Sequence, residues 1–252
     1  MASTAPTLQI FAREPTPGAV KTRLATAIGP ERAATVYREL TIVTLQHARH
    51  ARAAGIVAAI ELWCTPSTES SWFRECAAAA GASLHQQSDG NLGARMSAAL
   101  AAGLTRSDAI LLIGTDCPVL DQFTLAAAGA LLVAHDAVLG PAEDGGFVLV
   151  GSRVPLTFNG VRMSTEHAAQ DSRTAFRSAG IDCGQLPLSW DVDTAADLDR
   201  WERLRTTMQE PRAVPPAPVR AWRDDKGSVA PKVNINPAVP NSTSSEQKRL
   251  KQ

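Results

Sequence analysis

The chain has 252 residues, with 25 basic and 25 acidic side chains and a formal net charge of zero. That balance excludes an electrostatic case for nucleic acid or an anionic membrane surface as partner, and a hydrophobic content of 44% is ample for a globular core. The four cysteines, Cys64, Cys76, Cys117 and Cys183, lie far apart with no C-x-x-C pair, so they read as reduced core thiols and not as zinc ligands or disulfides.

The N-terminal stretch lacks a basic segment followed by an apolar one, and no apolar run is long enough for a membrane span, so the expectation is a soluble, cytoplasmic protein. Leu8–Ala12 is a first strand. In Arg13–Leu24 two prolines and a glycine oppose a regular element, so the segment reads as a loop presenting Lys21 and Arg23. A basic, glycine-containing loop after the first strand suits an anion cradle, without the glycine spacing of a Walker A motif. It equally suits a surface loop with two solvated cations.

Gly29-Pro30 opens a helix with proline at its first position, and Gly55 closes it. Ile56–Cys64 is a second strand, Thr68–Ala80 a helix and Ser83–Gln86 a short third strand. The polar loop Gln87–Asn91 leads into a helix whose first turn or second carries Arg95. A cation there opposes the helix dipole, as a ligand-facing or a surface-paired arginine would. Ile110–Ile113, four consecutive large aliphatics, is a strand buried on both faces. It ends at Gly114-Thr115 and delivers Asp116, either a ligand-edge carboxylate or a simple turn residue.

Asp121 caps the next helix. Ala137–Gly140 and Phe147–Gly151 flank Pro141-Ala142-Glu143-Asp144-Gly145-Gly146, which reads as a hairpin turn whose glycines suit close approach of backbone to a ligand. Thr165 caps a helix to Ala179, and Ile181–Leu188 is the last strand. In Ser189-Trp190-Asp191-Val192-Asp193-Thr194 the two acids at i and i+2 share a face of extended chain. Thr194 with Asp197 caps the final helix, so Asp193 is free of that task.

Strands alternating with helices give one three-layer α/β/α domain with a mostly parallel sheet over residues 7–207. From there, residues 208–252 carry scattered prolines among Ser, Asn, Lys and Gln and read as a disordered tail. The acids and cations fall on loops that follow strands, and these loops meet at one edge of such a sheet. Asp116 with Asp191 or Asp193 suits Mg²⁺ or Mn²⁺ held by oxygen ligands, and Lys21, Arg23 and Arg95 suit phosphate oxygens. No Ser-His-Asp or Cys-His pattern is present, and the five histidines have no metal-ligand spacing.

Five stretches in this order resemble one family: Pro17–Leu24, Gly90–Met96, Gly114–Pro118, Pro141–Phe147 and Asp191–Thr194. Together, over roughly residues 8–205, the chain is similar to the GT-A-fold family labelled arsenosugar-biosynthesis glycosyltransferase or radical-SAM/selenodomain-associated transferase. That family is related to nucleotide-diphospho-sugar transferases and, through the Lys-Thr-Arg-Leu loop, to nucleotidyltransferases. The resemblance implies a GT-A-like fold and a nucleotide across the first strands, with phosphates near Gly18, Lys21 and Arg23. It also implies a metal near Asp116 and Asp193, and an acceptor near Asp144. The chain departs from the family pattern at Asn91, where an acid is common, and at Arg162–Thr165, which replaces a tryptophan-bearing segment.

Taken together, these features give the expectation of a metal-dependent glycosyltransferase with a nucleotide-diphospho-sugar donor and a small-molecule acceptor. Asp116 and Asp193 hold Mg²⁺ or Mn²⁺, Lys21 and Arg23 hold the diphosphate, and Asp144 orients or deprotonates the acceptor. Two other readings stand beside it. One is a nucleotidyltransferase that joins a nucleoside triphosphate to a phosphorylated acceptor with release of pyrophosphate. The other is a non-catalytic nucleotide-binding module.

Overall fold

The computed structural model describes residues 5–209. In chain order the elements are β1 (Thr7–Arg13), α1 (Thr22–Ile28), α2 (Pro30–Ala53), β2 (Ala59–Thr65), α3 (Ser71–Ala80), β3 (Ser83–Gln86) and α4 (Leu92–Leu104). These are followed by β4 (Ile110–Ile113), α5 (Gln122–Ala134), β5 (Ala137–Pro141), β6 (Phe147–Ser152), α6 (Ala168–Ser178), β7 (Cys183–Gln185) and α7 (Ala195–Gln209). The seven strands form one sheet in the order β3-β2-β1-β4-β6-β5-β7. Only β6 is antiparallel to its neighbours.

Alternation along the strands divides the core between the two faces. Leu8, Ile10, Leu111 and Ile113 pack with Leu45, Phe73 and Leu125 from α2, α3 and α5. Ile110, Leu112, Leu139 and Val150 face the other way, against Met96, Leu100 and Phe176 from α4 and α6. The three-layer arrangement and the mostly parallel sheet follow the expectation from sequence. A further cluster joins α1, α2 and α7: Leu24, Val36, Leu40, Leu198 and Trp201 enclose Trp190 and Val192.

Several boundaries differ from the sequence reading. The Arg13–Leu24 segment is not wholly irregular, because α1 begins at Thr22 and buries Leu24. The second strand starts at Ala59, beyond a turn at Gly55, and α3 starts at Ser71. Thr165 does not begin a helix; α6 starts three residues later, after Ser164 takes a left-handed φ of 60°. The last strand is confined to Cys183–Gln185, since Pro187 cannot donate to a ladder and Leu188 is exposed. The expected tail lies outside the described residues from residue 210 on, and α7 includes residues 208 and 209. No described helix is long and apolar enough to cross a membrane.

The β5–β6 turn is the hairpin expected from Asp-Gly-Gly, closed by Ala142 N–H donating to the Gly146 carbonyl. The first of its two glycines is required by the chain itself, while the second, Gly146, lines the candidate-site cavity. Gly145 has φ +84°, and a Cβ there would overlap the Glu166 carbonyl oxygen. The Gly145 carbonyl in turn accepts from Ala169 N–H at 3.0 Å, joining the hairpin to the start of α6. Gly145→Ala is expected to lower stability by about 2–4 kcal/mol, through the positive φ and the clash together. Urea denaturation of the variant beside the parent measures it.

Candidate active site

Parallel strands place their carboxyl ends on one sheet edge, and the loops after β1, β3, β4, β5 and β7 meet there. Lys21 is the pivot. It is the N-cap of α1, in the left-handed region at φ 49° and ψ 45°. Its side chain is only 3% exposed, and Nζ lies 3.0 Å from Asp116 Oδ2 and 2.9 Å from Asp193 Oδ1. Burial acts to lower the Lys21 pKa, but the two carboxylates prevail and raise it. The ammonium is therefore charged throughout the neutral range. Arg23 Nη1 reaches the other oxygen of Asp193 at 3.2 Å.

The two acids are held from behind by the backbone. Val192 N–H donates to the Asp116 carbonyl at 2.9 Å, and Val192 is itself fully buried. With Trp190 and Val192 turned into the α1–α2–α7 cluster, Asp191 and Asp193 line the cavity. The Thr194–Asp197 cap is formed as expected: Thr194 N–H donates to Asp197 Oδ2 at 2.8 Å, and Thr194 Oγ1 accepts from Asp197 N–H at 3.3 Å. Burial, with Asp193, Asp144 and Asp116 nearby, pushes the Asp191 carboxyl up to about 6. In the hairpin, Glu143 pairs with Arg200, which stacks over Trp190, while Asp144 lines the cavity.

Two cavities meet at this cluster. One, of about 450 Å³, has a cationic lining of Arg13, Lys21, Arg23 and Arg95. The other, of about 420 Å³, is lined largely by apolar side chains and bears Asp144 and Asp191. Asp116, Asp193 and Arg23 line both. Gly18 lines neither; its φ of +78° serves the turn that brings Lys21 inward. Arg95 lies in α4 behind an Asn91 cap, donates to Gln87 Oε1 at 3.1 Å, and keeps a buried Nε with no partner.

The sequence reading missed Gln87, Arg13 and the cavity-side role of Tyr37. Gln87 Nε2 donates to the Ala12 and Trp63 carbonyls, fixing the ends of β1 and β2 while its oxygen aims Arg95. A polar residue directly after a strand was the available signal. Tyr37 Oη accepts from Arg13 N–H at 2.8 Å.

The carboxylates read from sequence as a metal pair converge on an ammonium. Among the described residues no three His, Cys, Asp or Glu side chains cluster to hold an ion. The donor set still fits a hard cation. Asp116 Oδ1 is buried without a hydrogen-bond partner, and Mg²⁺ commonly takes one or two carboxylates and completes its shell with water and substrate phosphates.

A family model described as "Uncharacterized protein conserved in bacteria (DUF2064)" matches residues 46–165. No curated protein matches the chain. A solved structure from Desulfovibrio desulfuricans G20, provisionally named a nucleotide-diphospho-sugar transferase, shares 29% identity at a TM-score of 0.72, covering 83% of this chain and 91% of that one. CMP:2-keto-3-deoxy-manno-octonic acid synthetase in complex with CTP is 14% identical at a TM-score of 0.53, covering 81% and 99%. A cytidylyltransferase from Leptospira borgpetersenii serovar Hardjo-bovis is also 14% identical at 0.53, covering 81% and 87%. The fold is thus that of nucleotide-diphospho-sugar transferases and nucleotidyltransferases. Two of the three, the Desulfovibrio and the Leptospira proteins, carry transferase names.

Lys21→Met leaves Asp116 and Asp193 facing each other without their shared cation. Both acids are partly solvated, so the expected loss is about 2 kcal/mol, below that of a fully buried pair. Thermal and chemical denaturation of the variant check it, and an unchanged midpoint would mean that water replaces the ammonium freely.

Proposed function

We propose that the protein is a glycosyltransferase of GT-A-like fold that takes a sugar from a nucleotide-diphospho-sugar donor. The observation that carries this reading is the meeting of a cationic cavity and an acid-bearing apolar one at a single shared cluster, Lys21, Asp116, Asp193 and Arg23. A donor has an anionic half and a sugar half, and transfer requires an acceptor beside the sugar. The likeness to the Desulfovibrio desulfuricans protein and the five motifs shared with the glycosyltransferase family support the same reading.

In this mechanism Arg95, with its unpartnered Nε, and Arg23 bind phosphate oxygens. Lys21 neutralises charge that develops on the leaving diphosphate. Asp144, held by Gly146 N–H at 2.8 Å, orients the acceptor hydroxyl and takes its proton. Asp116 and Asp193 would hold Mg²⁺ or Mn²⁺, which when bound supplies Lewis-acid stabilisation of the diphosphate.

Nucleotidyl transfer is the second reading, because the same cationic cavity suits a triphosphate. A melting screen separates the two, with UDP-glucose, GDP-mannose, ADP-glucose and dTDP-glucose set against the four nucleoside triphosphates, each with and without Mg²⁺ or Mn²⁺. A ligand at about a hundred times its dissociation constant adds roughly 2.7 kcal/mol. Stabilisation by a nucleotide sugar and not by triphosphates is the expected result. A triphosphate alone would favour nucleotidyl transfer, and no response would favour a non-catalytic module. Asp116→Asn is expected to cut turnover by about a hundredfold or more while the protein still melts cooperatively. Unchanged turnover would take Asp116 out of the mechanism.

A further inference from the structure

The apolar cavity constrains the acceptor. Phe11, Met96, Leu112, Phe147 and Met163 line it, and its volume of about 420 Å³ falls within the range of small-molecule sites. Arg23 is its only lining cation among the described residues, and Arg23 is engaged with Asp193. Asp116 and Asp193 share Lys21. Asp144 accepts a backbone N–H, and neither it nor Asp191 has a described cation within ion-pair distance. This end of the site therefore presents two carboxylates, Asp144 and Asp191, that no cationic side chain pairs with, beside an apolar wall.

One wall is firmly set. Arg162 donates to Asp171 through its backbone N–H, Nε and Nη2 at 3.1, 2.8 and 2.9 Å, which ties the 162–165 segment to α6. Met163 lies against the start of α4, its methyl 3.5 Å from where a Cβ on Gly93 would stand. An anionic group placed here would meet carboxylates at short range without a partner, a like-charge juxtaposition that interfaces avoid.

We propose that this cavity binds an acceptor with an apolar body and a reacting hydroxyl, uncharged or cationic, and that it rejects phosphorylated and carboxylated acceptors. The proposal rests on the nucleotide-sugar reading and disfavours nucleotidyl transfer to a phosphate. In the step, the acceptor oxygen forms a bond to the anomeric carbon. The bond from that carbon to the diphosphate oxygen breaks and its electron pair leaves with the nucleoside diphosphate. The hydroxyl proton passes to Asp144.

Three matched probes test it: 4-methylbenzyl alcohol, 4-(aminomethyl)benzyl alcohol and 4-(hydroxymethyl)phenyl phosphate. They share the reacting hydroxymethyl group and differ in charge. Binding is followed by ligand-observed NMR on the full chain with the nucleotide sugar that raises its melting temperature, and nucleoside diphosphate release is measured in parallel. The first two probes are expected to bind at least about tenfold more tightly than the phosphate ester. Equal or tighter binding of the ester overturns the proposal, as does failure of all three probes while the nucleotide sugar binds. In both cases the donor reading survives. If no nucleotide sugar binds, the donor reading falls and this proposal falls with it.

Met163→Lys places a cation on the apolar wall. It is expected to improve ester binding about tenfold relative to the uncharged probe, whereas Met163→Leu keeps the original order. A melting curve for each variant confirms folding. An unchanged probe order in folded Met163→Lys would show that the cavity is not the acceptor site.

Discussion

One ammonium group organises this edge of the molecule. Lys21 Nζ lies within 3.0 Å of two carboxylates contributed by distant parts of the chain, Asp116 after the central strand and Asp193 before the last helix. Two like charges brought together repel unless something between them compensates, and the lysine does this from a nearly sealed position. The arrangement also accounts for the left-handed backbone at Lys21. A non-glycine residue there costs about 1 kcal/mol or more, and the two ion pairs hold it in place. With Lys21 turned inward, α1 can begin at the next residue and bury Leu24 against α2 and α7.

The cavities on either side of the cluster owe their difference to which strands border them. Toward β1 and β3 the lining comes from a loop rich in cations and from Gln87, whose amide clasps two strand ends and aims Arg95. Toward β5 and β6 it comes from the hairpin and from the segment before α6, which contribute aromatic, methionine and carboxylate side chains. Gly145 lets these last two segments touch, because the Glu166 carbonyl occupies the space a side chain would need. Chemistry and packing thus separate within one turn: Glu143 braces α7 through Arg200, while its neighbour Asp144 lines the cavity.

Much of the fold was legible in sequence because its signals are local. Ile110–Ile113 is too uniformly aliphatic for a surface strand, Asp121 caps α5 through Phe123 and Thr124 N–H, and Thr194 with Asp197 caps α7. The candidate site was legible as a set of residues and not as an arrangement. Lys21, Arg23, Asp116, Asp144 and Asp193 do gather at one edge, but no spacing says that Lys21 stands between Asp116 and Asp193, since the Lys21–Asp193 contact spans 172 positions. Helix α1 was hidden by the prolines and glycine upstream of it. Arg95 looked ambiguous because its orientation depends on Gln87, whose own amide is fixed by carbonyls at the ends of two other strands.

The Val192 N–H bond to the Asp116 carbonyl also bears on the order in which the site comes into existence during synthesis. Strands β1 to β4 can pair once residue 113 has emerged, and three residues later Asp116 joins Lys21 on a common edge. The second carboxylate and the backbone tie arrive only with residues 192 and 193, after nearly the whole described chain has been made. Between those two points a nascent chain can carry the β3-β2-β1-β4 part of the sheet with an unfinished site. The stretch matched by the family model, 46–165, likewise carries Arg95, Asp116 and Asp144 but lacks Lys21, Arg23 and Asp193. The central part of the sequence supplies the scaffold with one side of the chemistry, and the two ends complete it by closing on each other.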